Sequence, residues 1–213
     1  MGQILLTPSA ETNDKSEPTG LRERKRLKTR RAILNAAWVL FTRDGANATS
    51  IRAIAELAEV SDVTVYTYFE TRETLIDAVV DVQSNFQALT DALASRPASE
   101  GPLEAYRALA VAEREYSKTD IKRAGNLLRV IKADPVLYSA YLNRQVLKAR
   151  ELVKALAPRA RLVGMPDMDL HLLCRLIVAA SEVVVEVLPA NTSPAGWVQA
   201  ENHLISLLSK GWK

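Results

Sequence analysis

In the N-terminal third of the chain, apolar residues recur at helical spacing, in short bursts separated by breaks of a few residues. That pattern restricts the fold to an array of short helices. Ile33, Ala36, Ala37, Leu40 and Phe41 follow three- and four-residue steps and share one helix face. Asp44-Gly45 closes this helix, with the glycine expected in the left-handed C-cap conformation. Thr49 or Ser50 can cap a second, short helix whose inner stripe is Ile51, Ile54, Ala55 and Ala58. Glu59-Val60-Ser61 is a break, Ser61 suits an N-cap, and a third short helix carries Val65 and Phe69 at i, i+4. After Glu70, Thr71 can cap a long fourth helix with Leu75, Ile76, Val79, Val82 and Phe86 on its inner side.

The helical period continues to the end, with neither strand alternation nor an internal repeat. The stretch from Ser95 to Pro102, rich in Ser, Pro and Gly, reads as a linker. Beyond it, helices are expected over residues 103–118, 120–133, 135–156, 167–188 and 195–208. Pro135 and Pro194 fall at first-turn positions, where the missing amide hydrogen costs nothing. The fold class is therefore all-α.

Charge is distributed unevenly. The net charge is only +3, yet seven basic residues lie between Leu21 and Arg31 against the single acid Glu23. The remainder is slightly acidic, so one end of the molecule is suited to a polyanion. Arg24, Lys25, Arg26 and Lys28 are candidates for phosphate contact or for an arm in a DNA minor groove. Residues 1–20 lack the positive start and long apolar stretch of a secretory signal and read as a disordered leader. No apolar run nears the ~20 residues of a membrane helix, so a cytoplasmic location is expected. Cys174 is the one cysteine and excludes an internal disulfide. With two histidines, His171 and His203, and no Gly-rich phosphate loop, Ser/His/Asp set or metal cluster, the chain is not expected to be an enzyme or to hold a metal or cofactor.

A short helix, a three-residue break and a second short helix form the layout of a helix-turn-helix, whose second helix enters the major groove. Its packed side here is Ile54, Ala55, Ala58, Val60, Val65 and Phe69. The outer side is Asp62, Thr64, Tyr66, Thr67 and Tyr68. Hydroxyl groups can meet bases or phosphates, and a threonine methyl can touch a thymine methyl.

Three runs carry a family resemblance: Thr49-Ser50-Ile51-Arg52-Ala53-Ile54-Ala55, Val60-Ser61 with Thr64-Val65-Tyr66-Thr67-Tyr68-Phe69, and Arg72-Glu73-Thr74-Leu75. Together with Ala32-Ile33-Leu34-Asn35-Ala36-Ala37, Leu40-Phe41 and Asp44-Gly45 they resemble the DNA-reading signature of the TetR family, continuously from about Arg30 to Leu75. The resemblance implies a DNA contact surface of Thr49, Arg52, Ser61, Asp62, Thr64, Tyr66, Thr67, Tyr68 and Arg72. It places Thr64 at bases or phosphate, Tyr66 against the DNA backbone and Tyr68 near a phosphate. Arg72 stands where the family has a phosphate-capping lysine. Asp62 and Thr67 are the expected determinants of sequence preference. Two positions depart from the pattern: Glu59 replaces the turn glycine, and Val63 replaces a glycine or small residue.

The resemblance also implies that the second half is a helical ligand-binding and dimerisation bundle. The expected plan is a leader (1–20), a helix-turn-helix domain (21–70), a connecting helix (71–94) and a regulatory domain (95–213). The last two helices are the ones the resemblance implies for the dimer: residues 176–180 and 183–185 are apolar almost all round, the last helix has a similar apolar face, and Ile177, Val184, Leu188, Leu204 and Leu208 are the expected homodimer interface. Polar residues within apolar stretches, namely Tyr106, Asn126, Arg129, Tyr138, Tyr141, Arg175 and Glu182, are candidates to line an effector pocket. The run from Asn126 to Tyr138 faintly resembles acyl-CoA-sensing members, while an aromatic or otherwise hydrophobic metabolite fits equally. The expected function is a DNA-binding repressor released by a small-molecule effector of unknown identity. A ligand-independent regulator, an activator or a helical interaction module are the alternatives.

Overall fold

The computed structural model describes residues 20–82, 86–112, 118–188 and 192–210. The expected leader falls almost wholly outside them. Among the described residues every regular element is an α-helix. The chain divides into two compact units, Met1–Val82 and Gln83–Lys213.

The first unit holds α1 (Leu21–Asp44), α2 (Ile51–Leu57), α3 (Asp62–Tyr68) and α4 (Arg72–Val82). α1 packs on α2 and α4, and α2 packs on α3. The core is drawn from all four: Ile33, Ala37 and Phe41 of α1, Ile54 of α2, Val65 of α3, and Leu75 and Val79 of α4 are buried. Short helices are marginal alone, so caps and this core hold α2 and α3. The Ser50 hydroxyl accepts the Ala53 amide at 3.1 Å, and the Ser61 hydroxyl accepts the Thr64 amide at 3.1 Å. Between Ser50 and Thr49 the structure selects Ser50 as the cap. Thr71 and Thr74 cap α4 reciprocally, each hydroxyl accepting the other residue's amide at 3.1 Å.

Gly45 ends α1 with φ 88° and ψ 150°. This is not the left-handed helical conformation expected of it but a region still more exclusive to glycine. Its amide donates to Phe41 O at 3.0 Å. Glu59 does adopt a left-handed φ of 57°, a strained turn for a residue with a Cβ.

The second unit holds α5 (Phe86–Ser95), α6 (Pro102–Ala112), α7 (Lys118–Ala133), α8 (Pro135–Leu162), α9 (Asp167–Val187) and α10 (Pro194–Lys210). α8 packs on α5, α6, α7 and α9, and α10 packs on α6 and α9. Leu93, Ala105, Leu152, Leu156, Leu173, Ile177 and Ile205 belong to its main core. Asp134 caps α8, its carboxylate accepting the Val136 and Leu137 amides at 2.9 and 3.1 Å ahead of Pro135. The α8 helix runs on past Leu156, where the sequence pattern weakens, and continues through Pro158 to Leu162. The residues after the proline explain this extension, because Arg159 and Ala160 are both buried. The expected fourth helix appears as α4 in one unit and α5 in the other, with residues 83–85 outside those described.

Candidate nucleic-acid interface and effector cluster

Ser61 fixes the start of α3, and Val65 and Phe69 anchor its inner side, so the alternate side faces outward. Asp62, Val63, Tyr66 and Thr67 are exposed, and Thr64 and Tyr68 are half-buried. Tyr66 keeps 50% of its surface exposed and Val63 keeps 73%. Val63 is not among the contact residues that the family resemblance implies. Its signal was present, since an apolar side chain stood where the family has a small one.

The hydroxyls on this surface are engaged locally. Ser61 Oγ and Thr64 Oγ1 lie 2.8 Å apart in a hydrogen bond, and Thr67 Oγ1 donates to Val63 O at 2.9 Å. On α2, exposed Arg52 pairs with exposed Glu56 at 3.1 Å.

Thr49 is placed inside rather than on the surface. It is 4% exposed, and its hydroxyl donates to Gly45 O at 2.9 Å. Arg72 reaches the same turn: its guanidinium donates to Thr49 O at 2.7 Å and also to Ala46 O. A cation in the first turn of a helix faces the positive end of the backbone dipole. The carbonyls offset this, and Arg72 thereby ties the start of α4 to the α1–α2 turn.

The basic block is part of α1, which begins at Leu21. Arg24, Lys25, Arg26 and Lys28 are exposed. Arg22, Arg26 and Arg30 follow one another at i, i+4 on one face. Arg30 lies 5.2 Å from the Phe69 ring centroid, a cation–π contact at the end of α3. Arg26 is held above the usual arginine pKa first by its hydrogen bonds to Glu23, at 2.7 and 2.9 Å, and more weakly by Tyr68. This basic face thus adjoins the C-terminal end of the third helix.

In the second unit, three of the proposed pocket residues come together and four do not. Tyr138 and Tyr141 of α8 stack with centroids 6.3 Å apart and planes 14° apart. Lys132 of α7 lies 5.9 Å from the Tyr138 centroid and pairs with Glu186 at 2.9 Å and Glu182 at 3.5 Å on α9. Lys132 is consequently raised in pKa, chiefly by the bond to Glu186. The Tyr141 phenol is pushed well above its usual value by burial and then by Glu182. Tyr106 instead belongs to the core, Arg175 is exposed, and exposed Asn126 and Arg129 bond each other.

The expected dimer residues also divide. Ile177 lies in the main core, and Val184 packs with Leu188, Ala200 and Leu204 of its own chain. Ile177 and Val184 are buried within their own chain, and Leu188 and Leu204 are partly buried against Val184. The Leu208 side chain lies outside the described residues. The apolar surface left open on α9 is Met168, Leu172, Leu176, Val183 and Val187.

Cys174 is buried, and burial pushes its thiol up to about 12, whereas His171 three residues before it is exposed. Among the described residues no group of three His, Cys, Asp or Glu side chains could hold a metal, and no helix is long and apolar enough to cross a membrane.

The family model for bacterial regulatory proteins of the tetR family matches residues 33–79, which span the last part of α1 through most of α4. The chain is 29% identical over 187 residues to the HTH-type transcriptional regulator TcmR of Streptomyces glaucescens, covering 85% of this chain and 80% of that one. Among solved structures it resembles NalD of Pseudomonas aeruginosa, the secondary repressor of the MexAB-OprM multidrug efflux pump. That likeness has 19% identity and a TM-score of 0.57, covering 88% of this chain and 96% of NalD. It also resembles FadR of Bacillus subtilis in complex with stearoyl-CoA, with 16% identity and a TM-score of 0.55, covering 85% and 98%. Residues 33–79 thus carry the DNA-binding domain of the tetR family of bacterial regulatory proteins, and over most of its length the chain is similar to a transcriptional regulator of the helix-turn-helix type.

Proposed function

We propose that this regulator is a homodimeric repressor that binds a pseudo-palindromic operator and is released from it by a small hydrophobic effector. One observation carries the DNA-binding part. The outer side of α3 is exposed and anchored from beneath by Val65 and Phe69, and the basic face of α1 adjoins its end. Asp62, Val63, Tyr66 and Thr67 would meet the groove, and Arg24, Lys25 and Lys28 would meet phosphates. Dimerisation would use the open α9 stripe of Met168, Leu172, Leu176, Val183 and Val187, an apolar face that water covers at a cost. NalD is named as a repressor, and the same sign of regulation is proposed here.

The effector would contact the Tyr138–Tyr141 stack at the meeting of α7, α8 and α9. It would act by favouring a conformation whose reading helices are mis-spaced for DNA, and only to the extent of its differential affinity for that state. The stacked rings favour a flat hydrophobic molecule. Lys132 is already neutralised by Glu182 and Glu186, which makes this cluster a poor seat for the phosphates of an acyl-CoA.

Fluorescence anisotropy on DNA from upstream of the protein's own gene tests the proposal, with and without aromatic hydrophobes and a long-chain acyl-CoA. Salt-sensitive binding that a hydrophobe abolishes supports it. Binding that no compound affects turns the reading to a ligand-independent regulator.

A further inference from the structure

The outer surface of α3 presents methyl groups where the sequence led us to expect hydroxyls. Val63, at 73% exposure, is the most open of the large apolar residues in the described part of its unit and has no place in the core. Thr67 lies one turn later on the same side. Its hydroxyl is turned back onto the helix by the 2.9 Å bond to Val63 O, so its outward group is Cγ2. The Ser61 and Thr64 hydroxyls bond each other at 2.8 Å, and the Ser61 oxygen also accepts the Thr64 amide. The Ser61, Thr64 and Thr67 hydroxyls are thus engaged within the helix, which leaves the Tyr66 phenol as the exposed hydroxyl on this face, while two adjacent side chains offer methyls.

In the major groove the apolar feature of a base pair is the C5 methyl of thymine, shared by 5-methylcytosine. We propose that Val63 and Thr67 form a strip that selects a pyrimidine C5 methyl in each operator half-site. This inference rests on the reading of α3 as the groove helix. Thr67 then sets sequence preference through its methyl, and Val63 is a specificity determinant beside it.

The test begins with a duplex selected from random sequence by the full-length protein. Each thymine is replaced in turn by deoxyuridine, which removes only the methyl. Affinity should fall about fourfold at one or two positions per half-site, the effect of one buried methyl. Val63→Ala and Thr67→Ser should each bind the thymine and deoxyuridine duplexes equally at the position they contact. Thr67→Ser retains the hydroxyl and its bond to Val63 O, so it isolates the methyl. At the same position, 5-methylcytosine should bind more tightly than cytosine by a similar factor. Equal binding of every deoxyuridine duplex by the unmodified protein would overturn the methyl strip while leaving DNA reading intact. Failure to enrich any duplex would overturn both.

Discussion

Two arginines perform the same task in different parts of the chain, and sequence patterning assigned neither to it. Arg72 holds the carbonyls of Ala46 and Thr49 at the α1–α2 turn. Arg159, only 5% exposed, donates to Leu93 O and Arg96 O at 2.7 Å and to Pro97 O, closing the C-terminal end of α5. There a cation also complements the helix dipole. Replacing Arg159 by Met should lower unfolding free energy by about 3 kcal/mol in urea titration, because three carbonyls lose their donor. Arg159→Lys should recover less than half, since a point charge cannot match a planar fork. Glu59→Gly should act in the opposite sense. Relieving a Cβ at φ 57° should raise stability by about 1 kcal/mol, read as a higher Tm. The strain at Glu59 was legible in the sequence because the position called for glycine. Arg159 was not, because its partners lie more than sixty residues away and a proline directly precedes it.

At the level of elements, local chemistry set the boundaries where it was strong. Ser61 and Thr71 were recognisable as caps, since each acts on amides within its own turn, and Pro135 as a first-turn residue, whereas the Asp134 cap was not singled out. Thr74→Ala removes one side of the reciprocal cap of α4 and should cost about 1 kcal/mol, measured by thermal unfolding. The helices of the second unit were legible as helices but not in orientation. An element apolar nearly all round does not reveal which side its own chain covers. The direction of α9 depends on α10, whose packing buries Val184 against the partly buried Leu188 and Leu204 and leaves Met168, at 78% exposure, with Val183 and Val187 outside. The pocket candidates are dispersed for the same reason. Tyr106 is core, whereas Tyr138 and Tyr141 stack beside Lys132, which pairs with Glu182 and which no local pattern singled out.

For the whole molecule, dimerisation and DNA binding should be linked. Glutamate at both Leu172 and Val183 places charge on the open stripe without touching the core. This variant should sediment as a monomer, keep its Tm or lose little, and bind a full operator at least tenfold more weakly, because one reading helix then engages alone. Unchanged sedimentation would move the interface elsewhere. Whether the outer side of α3 reads duplex DNA is decided by comparing Tyr66→Ala with the unmodified protein on a selected duplex. Tyr66 is half exposed, so its loss should leave thermal unfolding within about 1 kcal/mol of the original. Affinity should fall at least tenfold, from a binding constant that itself declines steeply with salt in the unmodified protein. A Tyr66→Ala variant that folds and binds the duplex as tightly as the original would contradict the assignment of this surface as the reader.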